Sequence, residues 1–131
     1  MQVPELYSSL IIIAKKDLRL SKIGASDDDP YIEGVCFHCQ QCAEKVLKAF
    51  LSFNGIKFKY PHDLESLCEE CEKIDSDFTN VDTICQILTH YSPNKRYIND
   101  GKIPTSEMFE AIELAEEVLN FVCKKIYQEE S

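Results

Sequence analysis

The sequence lacks the long apolar run that a membrane-spanning helix requires. No stretch approaches the about 18 consecutive apolar residues expected of such a helix, and the N-terminal run LIIIA covers only residues 10–14. The start of the chain also lacks the basic segment and small-residue cleavage site of a secretory signal. These absences argue against a membrane association and predict a cytoplasmic protein, in which thiols stay reduced.

An excess of positive charge is also missing. The chain has 14 Lys and Arg residues against 23 Asp and Glu residues, which gives a formal net charge of −9. Because affinity for phosphate comes from Lys and Arg, this balance excludes a uniformly basic face for nucleic acid. A local basic site for a nucleotide or RNA stays compatible with the composition.

Sustained strand alternation and internal repeats are absent, whereas five segments show helical periodicity. The 131 residues are therefore predicted to form one domain, residues 1–131, with an all-α fold. The expected architecture is an up-and-down antiparallel bundle of four to five helices. The predicted helices cover 4–23, 30–53, 62–74, a segment from about 79 to the residue before Pro93, and a last segment capped by Thr105 or Ser106.

Apolar residues at helical spacing predict which face of each helix is buried. For the first helix the predicted stripe is Leu6, Leu10, Ile13, Leu20 and Ile23, with Asp17 interrupting it. For the last helix it is Met108, Ala111, Ile112, Ala115, Val118, Leu119, Val122 and Ile126.

The seven cysteines raise the question of a metal site. An iron–sulfur run would need a fourth cysteine where Val46 stands. Zinc could be held by two C-x-x-C pairs, Cys36 with Cys39 and Cys68 with Cys71, but 28 residues separate the pairs, longer than the usual spacing. Both pairs also continue apolar stripes, and free cysteine packs as a small hydrophobe. We therefore predict core cysteines, with no metal and no cofactor.

The segments CFHCQQCAEKVLKAFLSFNGI, PHDLESLCEECEKI and NKRYIND resemble the HEPN family (higher eukaryotes and prokaryotes nucleotide-binding domain). The resemblance covers nearly the whole chain in the same element order. The matching positions are Gln41, Ala43, Glu44, Lys45, Leu47, Lys48, Ala49, Gly55, His62, Asp63, Leu64, Arg96 and Tyr97.

The resemblance implies a helical bundle that usually dimerises and that often pairs with a small nucleotidyltransferase encoded beside it, as in toxin–antitoxin systems. Other members are metal-independent ribonucleases with an Arg followed, after four to six residues, by a His. After Arg96 the admissible positions are Gly101, Lys102 and Ile103, so this chain lacks that His. Without an acid or base for attack by the 2′-hydroxyl group, a non-catalytic binding module is expected. A divergent ribonuclease whose acid–base residue comes from elsewhere is the alternative.

Candidate contacts to a nucleotide or phosphate are Gln41, Lys45, Lys48, His62, Arg96 and Tyr97. The competing interpretation of the two lysines is a solvated helix face with a Glu44–Lys48 pair at i,i+4 spacing. His62 could equally fix a loop, and Arg96 could form a structural ion pair. Phe37 lies well outside the main apolar stripe of its helix, so it is the candidate residue for a homodimer interface.

Overall fold

The computed structural model describes residues 6–57, 63–91 and 103–128, which contain helices and no strand. This confirms the predicted all-α bundle. The α-helices are α1 (Leu6–Ala25), α2 (Ile32–Phe53), α3 (Leu64–Ile74), α4 (Asp82–Leu88) and α5 (Thr105–Gln128), and short 3-10 helices cover Ser76–Val81 and Thr89–Tyr91.

The helix boundaries follow local signals in most places. α2 ends at Phe53 with Asn54 as its C-cap, and Gly55 then takes a φ of +74°, a conformation that glycine adopts without a steric penalty. Asp63 caps α3 by accepting hydrogen bonds from the amides of Glu65 and Ser66. The predicted cap of α5 is wrong by one position, because Thr105 is already helical and the Pro104 carbonyl accepts the first bonds.

The start of α1 lies beside the ends of two other helices. The Tyr7 ring is 5.1 Å from the ring of Phe53 at the end of α2 and 6.5 Å from that of Tyr127 at the end of α5. α1 therefore runs antiparallel to both α2 and α5. In the core between α2 and α5, Phe78 packs on Phe50 and Phe121 at ring distances of 4.5 and 5.0 Å.

The predicted core face of α5 is confirmed. The buried residues of this helix are the eight predicted ones: Met108, Ala111, Ile112, Ala115, Val118, Leu119, Val122 and Ile126. The face of α5 could be predicted because the helix has one unambiguous apolar stripe with glutamates opposite it.

The predicted core face of α1 is wrong. Ile13, Leu20 and Ile23 are exposed, and the buried residues are Ile11, Ala14, Leu18, Ser21 and Ala25. The buried stripe contains mostly small side chains, which let α1 approach α2 closely. A Cβ added to Gly24 would lie only 3.0 Å from Cγ2 of Val35. The close packing of α1 on α2 thus outweighs the burial of the larger side chains in the other stripe.

In the described part of the chain, no helix combines the length and the apolar character needed to cross a membrane.

Candidate functional site

Three predicted site residues share one side of α2 and are linked by hydrogen bonds. Lys45 Nζ donates to Gln41 Oε1 at 2.7 Å, and Gln41 Nε2 donates to Oε1 of the fully buried Gln40, also at 2.7 Å. Gln41, Lys45 and Lys48 meet because positions three and four apart lie on the same face of a helix, whereas Gln40 is the chain neighbour of Gln41. We call Gln40, Gln41, Glu44, Lys45 and Lys48 the α2 polar network.

Glu44 forms the centre of the α2 polar network. Its side chain is 2% exposed and accepts a hydrogen bond from Lys48 Nζ at 2.8 Å. Gln40 Nε2 and Gln41 Nε2 also approach Glu44 Oε1, at 3.3 and 3.4 Å. The predicted Glu44–Lys48 pair is therefore present, but the expectation that it lies on a solvated face is wrong.

The charges of the α2 polar network determine what it could bind. Lys48 is compensated by the carboxylate of Glu44, whereas the hydrogen-bond partner of Lys45 among the described residues is the neutral amide of Gln41. Lys45 is also half-buried rather than buried. Of the two lysines, Lys45 is thus the better placed to attract a phosphate group, and Gln41 adds an amide beside it.

The other three predicted contacts belong to parts of the chain that the structure does not describe. His62, Arg96 and Tyr97 lie outside the described residues. The candidate site therefore consists, in its described part, of the α2 polar network. Gln40 was missed at the sequence level because a glutamine gives no indication of full burial until its neighbours are known.

Phe37 lies near the start of α2 and is half-buried. Together with Leu20, Tyr31 and His38, it lines a shallow cavity of about 390 Å³ between α1 and α2. Its ring also makes an edge contact with His38 at 5.7 Å. The prediction that Phe37 stands outside the main core stripe agrees with this position.

The same region contains a pair that sequence analysis missed. His38 Nδ1 lies 2.9 Å from Asp17 Oδ1, which joins α2 to α1. The Asp17 side chain is 13% exposed and that of His38 35%. A carboxylate at Nδ1 orients an imidazole and leaves Nε2 as the nitrogen that can exchange a proton. The sequence feature that could have indicated this pair is Asp17, because it interrupts an apolar stripe of α1.

The cysteines of α2 lie in the core. Cys36, Cys39 and Cys42 have no exposed surface. Burial raises the pKa of Cys36 to about 12 and that of Cys39 to about 11, so both thiols are neutral near pH 7. From α3, Cys71 donates a hydrogen bond to the Leu47 carbonyl at 3.7 Å. Cys36, Cys39, Cys42, Cys68 and Cys71 are all fully buried, as predicted for core cysteines.

Comparison with known proteins agrees with the fold described above. The sequence model of the HEPN domain matches residues 7–126 of the chain. The crystal structure of an archaeal HEPN homologue superposes with a TM-score of 0.70 at 26% sequence identity. That match covers 92% of this chain and 97% of the homologue. No curated protein sequence matches the chain.

Proposed function

Because the chain belongs to the HEPN domain family, we propose that it is a non-catalytic nucleotide- or partner-binding module. In this proposal residues 1–131 form one cytoplasmic domain, which works with a small nucleotidyltransferase as a two-component, toxin–antitoxin-like system. The observation that carries the proposal is the α2 polar network, in which the partly exposed Gln41 and Lys45 are held by hydrogen bonds above the buried Gln40, Glu44 and Lys48.

The proposed ligand contact has two parts. Lys45 supplies the positive charge for a phosphate group, with Gln41 as a neutral hydrogen-bonding group beside it. The buried Glu44–Lys48 pair lies beneath Lys45 and Gln41 and holds their side chains in place. His62, Arg96 and Tyr97 are the proposed additional contacts. A charged hydrogen bond to phosphate is stronger than a neutral one, so Lys45 should dominate the affinity.

Nucleotide titration tests this proposal. Lys45→Ala should weaken the binding of ATP or GTP at least tenfold, as measured by calorimetry at fixed ionic strength. Lys124→Ala is the matched control, because it removes an exposed lysine from α5 and leaves the α2 polar network intact. Equal affinities of the Lys45 variant and the control variant would contradict the proposed site.

The proposed partner requires a separate experiment. The chain is expected to co-purify in a defined ratio with a small nucleotidyltransferase encoded beside its gene. Isolation of both proteins as separate species after coexpression would contradict the two-component system while leaving nucleotide binding to be decided by the titration.

We also propose that the chain forms a homodimer. The support is an apolar surface on the outer side of α1, where Ile12, Leu20 and Ile23 are each more than half exposed. Leu20 connects this surface to the cavity that Phe37 lines. Contact with a second copy would remove these side chains from water, which is favourable in proportion to the apolar area covered.

One observation favours the alternative function, a divergent metal-independent ribonuclease. The Asp17–His38 pair provides an oriented imidazole, the acid–base group that the Arg96 region lacks. If this alternative holds, the purified protein cleaves RNA without metal, and His38→Gln abolishes the cleavage. Intact RNA after long incubation with the parent protein would exclude it.

A further inference from the structure

Potential metal ligands meet where α3 packs on α4. The Cys68 sulfur and one carboxylate oxygen each from Glu72 and Asp82 all lie within 4.8 Å of one another. Cys68 and Glu72 are one turn apart on α3, and Asp82 opens α4. In the described part of the chain, this is the one group of three or more His, Cys, Asp or Glu ligand atoms gathered so closely.

The two carboxylates have no cationic partner within this part of the structure. Glu72 accepts a hydrogen bond from the Cys68 thiol at 3.5 Å, but neither Glu72 nor Asp82 forms an ion pair with a described residue. The neighbouring lysines are engaged elsewhere, since Lys73 pairs with Glu70 and Lys125 with Asp75 and Asp77. Two half-buried carboxylates so close together are a favourable arrangement for a cation, because its attraction to both would offset their mutual repulsion.

A fourth donor lies beside this group. Cys85 is one helical turn beyond Asp82 on α4 and is fully buried. Each of the two helices therefore contributes one thiol and one carboxylate. The spacings are Cys-x-x-x-Glu on α3 and Asp-x-x-Cys on α4, and both place the two side chains on one helix face.

In contrast to the metal-free chain that the sequence predicts, we propose that Cys68, Glu72 and Asp82, with Cys85 as a fourth ligand, form a binding site for a divalent cation of the zinc class, which would join α3 to α4. Zinc accepts both thiolate and carboxylate ligands in a tetrahedral arrangement, at roughly 2.0–2.3 Å. Such ligands lie closer together than 4.8 Å, so rotation of the two half-buried carboxylates would complete the site. Each coordinating thiol gives up its proton to solvent when the metal binds. The proposal is independent of nucleotide binding by the α2 polar network.

Spectroscopic titration with cobalt(II) tests this site, because thiolate coordination to cobalt produces charge-transfer absorption in the near ultraviolet. Protein freed of metal by a chelator should bind one equivalent of cobalt, and zinc should displace it. Asp82→Asn and Cys68→Ser should each weaken the binding at least tenfold. Cys71→Ser and Glu69→Gln are the matched controls on α3, because the Cys71 thiol is directed to Leu47 and Glu69 is exposed.

Three results would overturn the proposal: no charge-transfer band at millimolar cobalt, full affinity in the Asp82→Asn variant, or loss of the band in the Cys71→Ser control. The last result would favour the C-x-x-C pairs instead. Asp82→Asn preserves side-chain shape, and its folding is checked by circular dichroism without metal. Zinc should raise the melting temperature of the parent protein and leave that of Asp82→Asn unchanged, since a ligand stabilises only the state that binds it.

Discussion

Glu44 is a carboxylate that folding removes almost completely from water. Its side chain is 2% exposed, and its partner Lys48 is 11% exposed. Moving both charges from water is costly, and the ion pair and hydrogen bonds within α2 offset that cost. Removing one partner takes this compensation away from a charge that stays buried, so the buried pair should be much more sensitive to substitution than an exposed pair.

Lys48→Met should therefore destabilise the protein by about 3 kcal/mol, because it removes a cation that pairs with the buried Glu44 carboxylate. Lys45→Met is the control on the same helix and should cost no more than about 1 kcal/mol, since it removes one hydrogen bond to a neutral amide. Urea unfolding measures both values. Addition of Glu44→Gln to Lys48→Met should restore part of the loss. Similar costs for the two single variants would show that the pair is not buried.

At the scale of elements, α1 presents large aliphatic side chains on two faces. Leu18 on the inner face is 6% exposed, whereas Leu20 on the outer face is 51% exposed. The two residues are chemically identical and two positions apart on one helix. The same substitution at both positions changes the helix propensity equally, so a difference in stability between the two variants measures the difference in burial.

Leu18→Ala should lower the free energy of unfolding by about 2–5 kcal/mol, because it leaves a cavity between α1 and α2. The same substitution at Leu20 should cost less than about 1 kcal/mol in the monomeric protein, since the side chain remains largely in water. Chemical denaturation at low protein concentration measures the free energy of unfolding of both variants. A larger cost at Leu20 than at Leu18 would mean that the originally predicted face of α1 is the buried one.

The end of α5 is joined to the end of α3 by a charged group. Lys125 Nζ lies 2.8 Å from Asp75 Oδ2 and also pairs with Asp77. The hydrogen bond from Lys125 holds the pKa of Asp75 below its usual range, and the bonds to Asp75 and Asp77 raise the pKa of Lys125. The lowered pKa stabilises the fold above the unfolded-state value of about 3.9, and the raised pKa does so below about 10.4.

Lys125→Met should therefore be less stable than the parent between these two pH values. The difference should shrink as the pH falls through the lowered pKa of Asp75, because a protonated carboxyl no longer pairs with the ammonium group. Unfolding midpoints at pH 7 and at about pH 2 measure the effect, and Lys124→Met is the exposed control on the same helix. A deficit that persists unchanged in acid would assign the loss to packing of the lysine stem.

At the scale of the whole molecule, the outer side of α1 differs from the rest of an acidic protein. α1 contains four basic residues, Lys15, Lys16, Arg19 and Lys22, and one acidic residue, Asp17, while the chain as a whole carries a net charge of −9. Lys16 and Arg19 lie next to the exposed Leu20 and Ile23. This surface is therefore apolar with a basic border, which suits contact with an acidic surface such as that of a second copy.

Light scattering at micromolar concentration should give about twice the 15.1 kDa mass of one chain. Leu20→Glu and Phe37→Glu should each lower the mass, because a carboxylate at the contact would lose its hydration. Phe109→Glu is the control, since Phe109 is exposed on α5 rather than on α1. A monomer at every accessible concentration would contradict the homodimer.

The sequence by itself determined the helical class, the end of α2 at Asn54 and Gly55, and the buried face of α5. These features depend on local periodicity and capping, which act within a few residues of one another. The sequence also placed Gln41, Lys45 and Lys48 on one side of α2, since helical spacing alone fixes that relation.

Only the tertiary structure decided which apolar stripe of α1 is buried, because two stripes satisfy the same period and the closer approach to α2 favours the smaller side chains. Only packing made the Glu44–Lys48 pair a buried one. It also brought together Asp17 with His38, and Cys68 with Asp82. These pairs join different helices, and their proximity depends on how the helices pack, a long-range property that the spacing of residues along one helix does not contain.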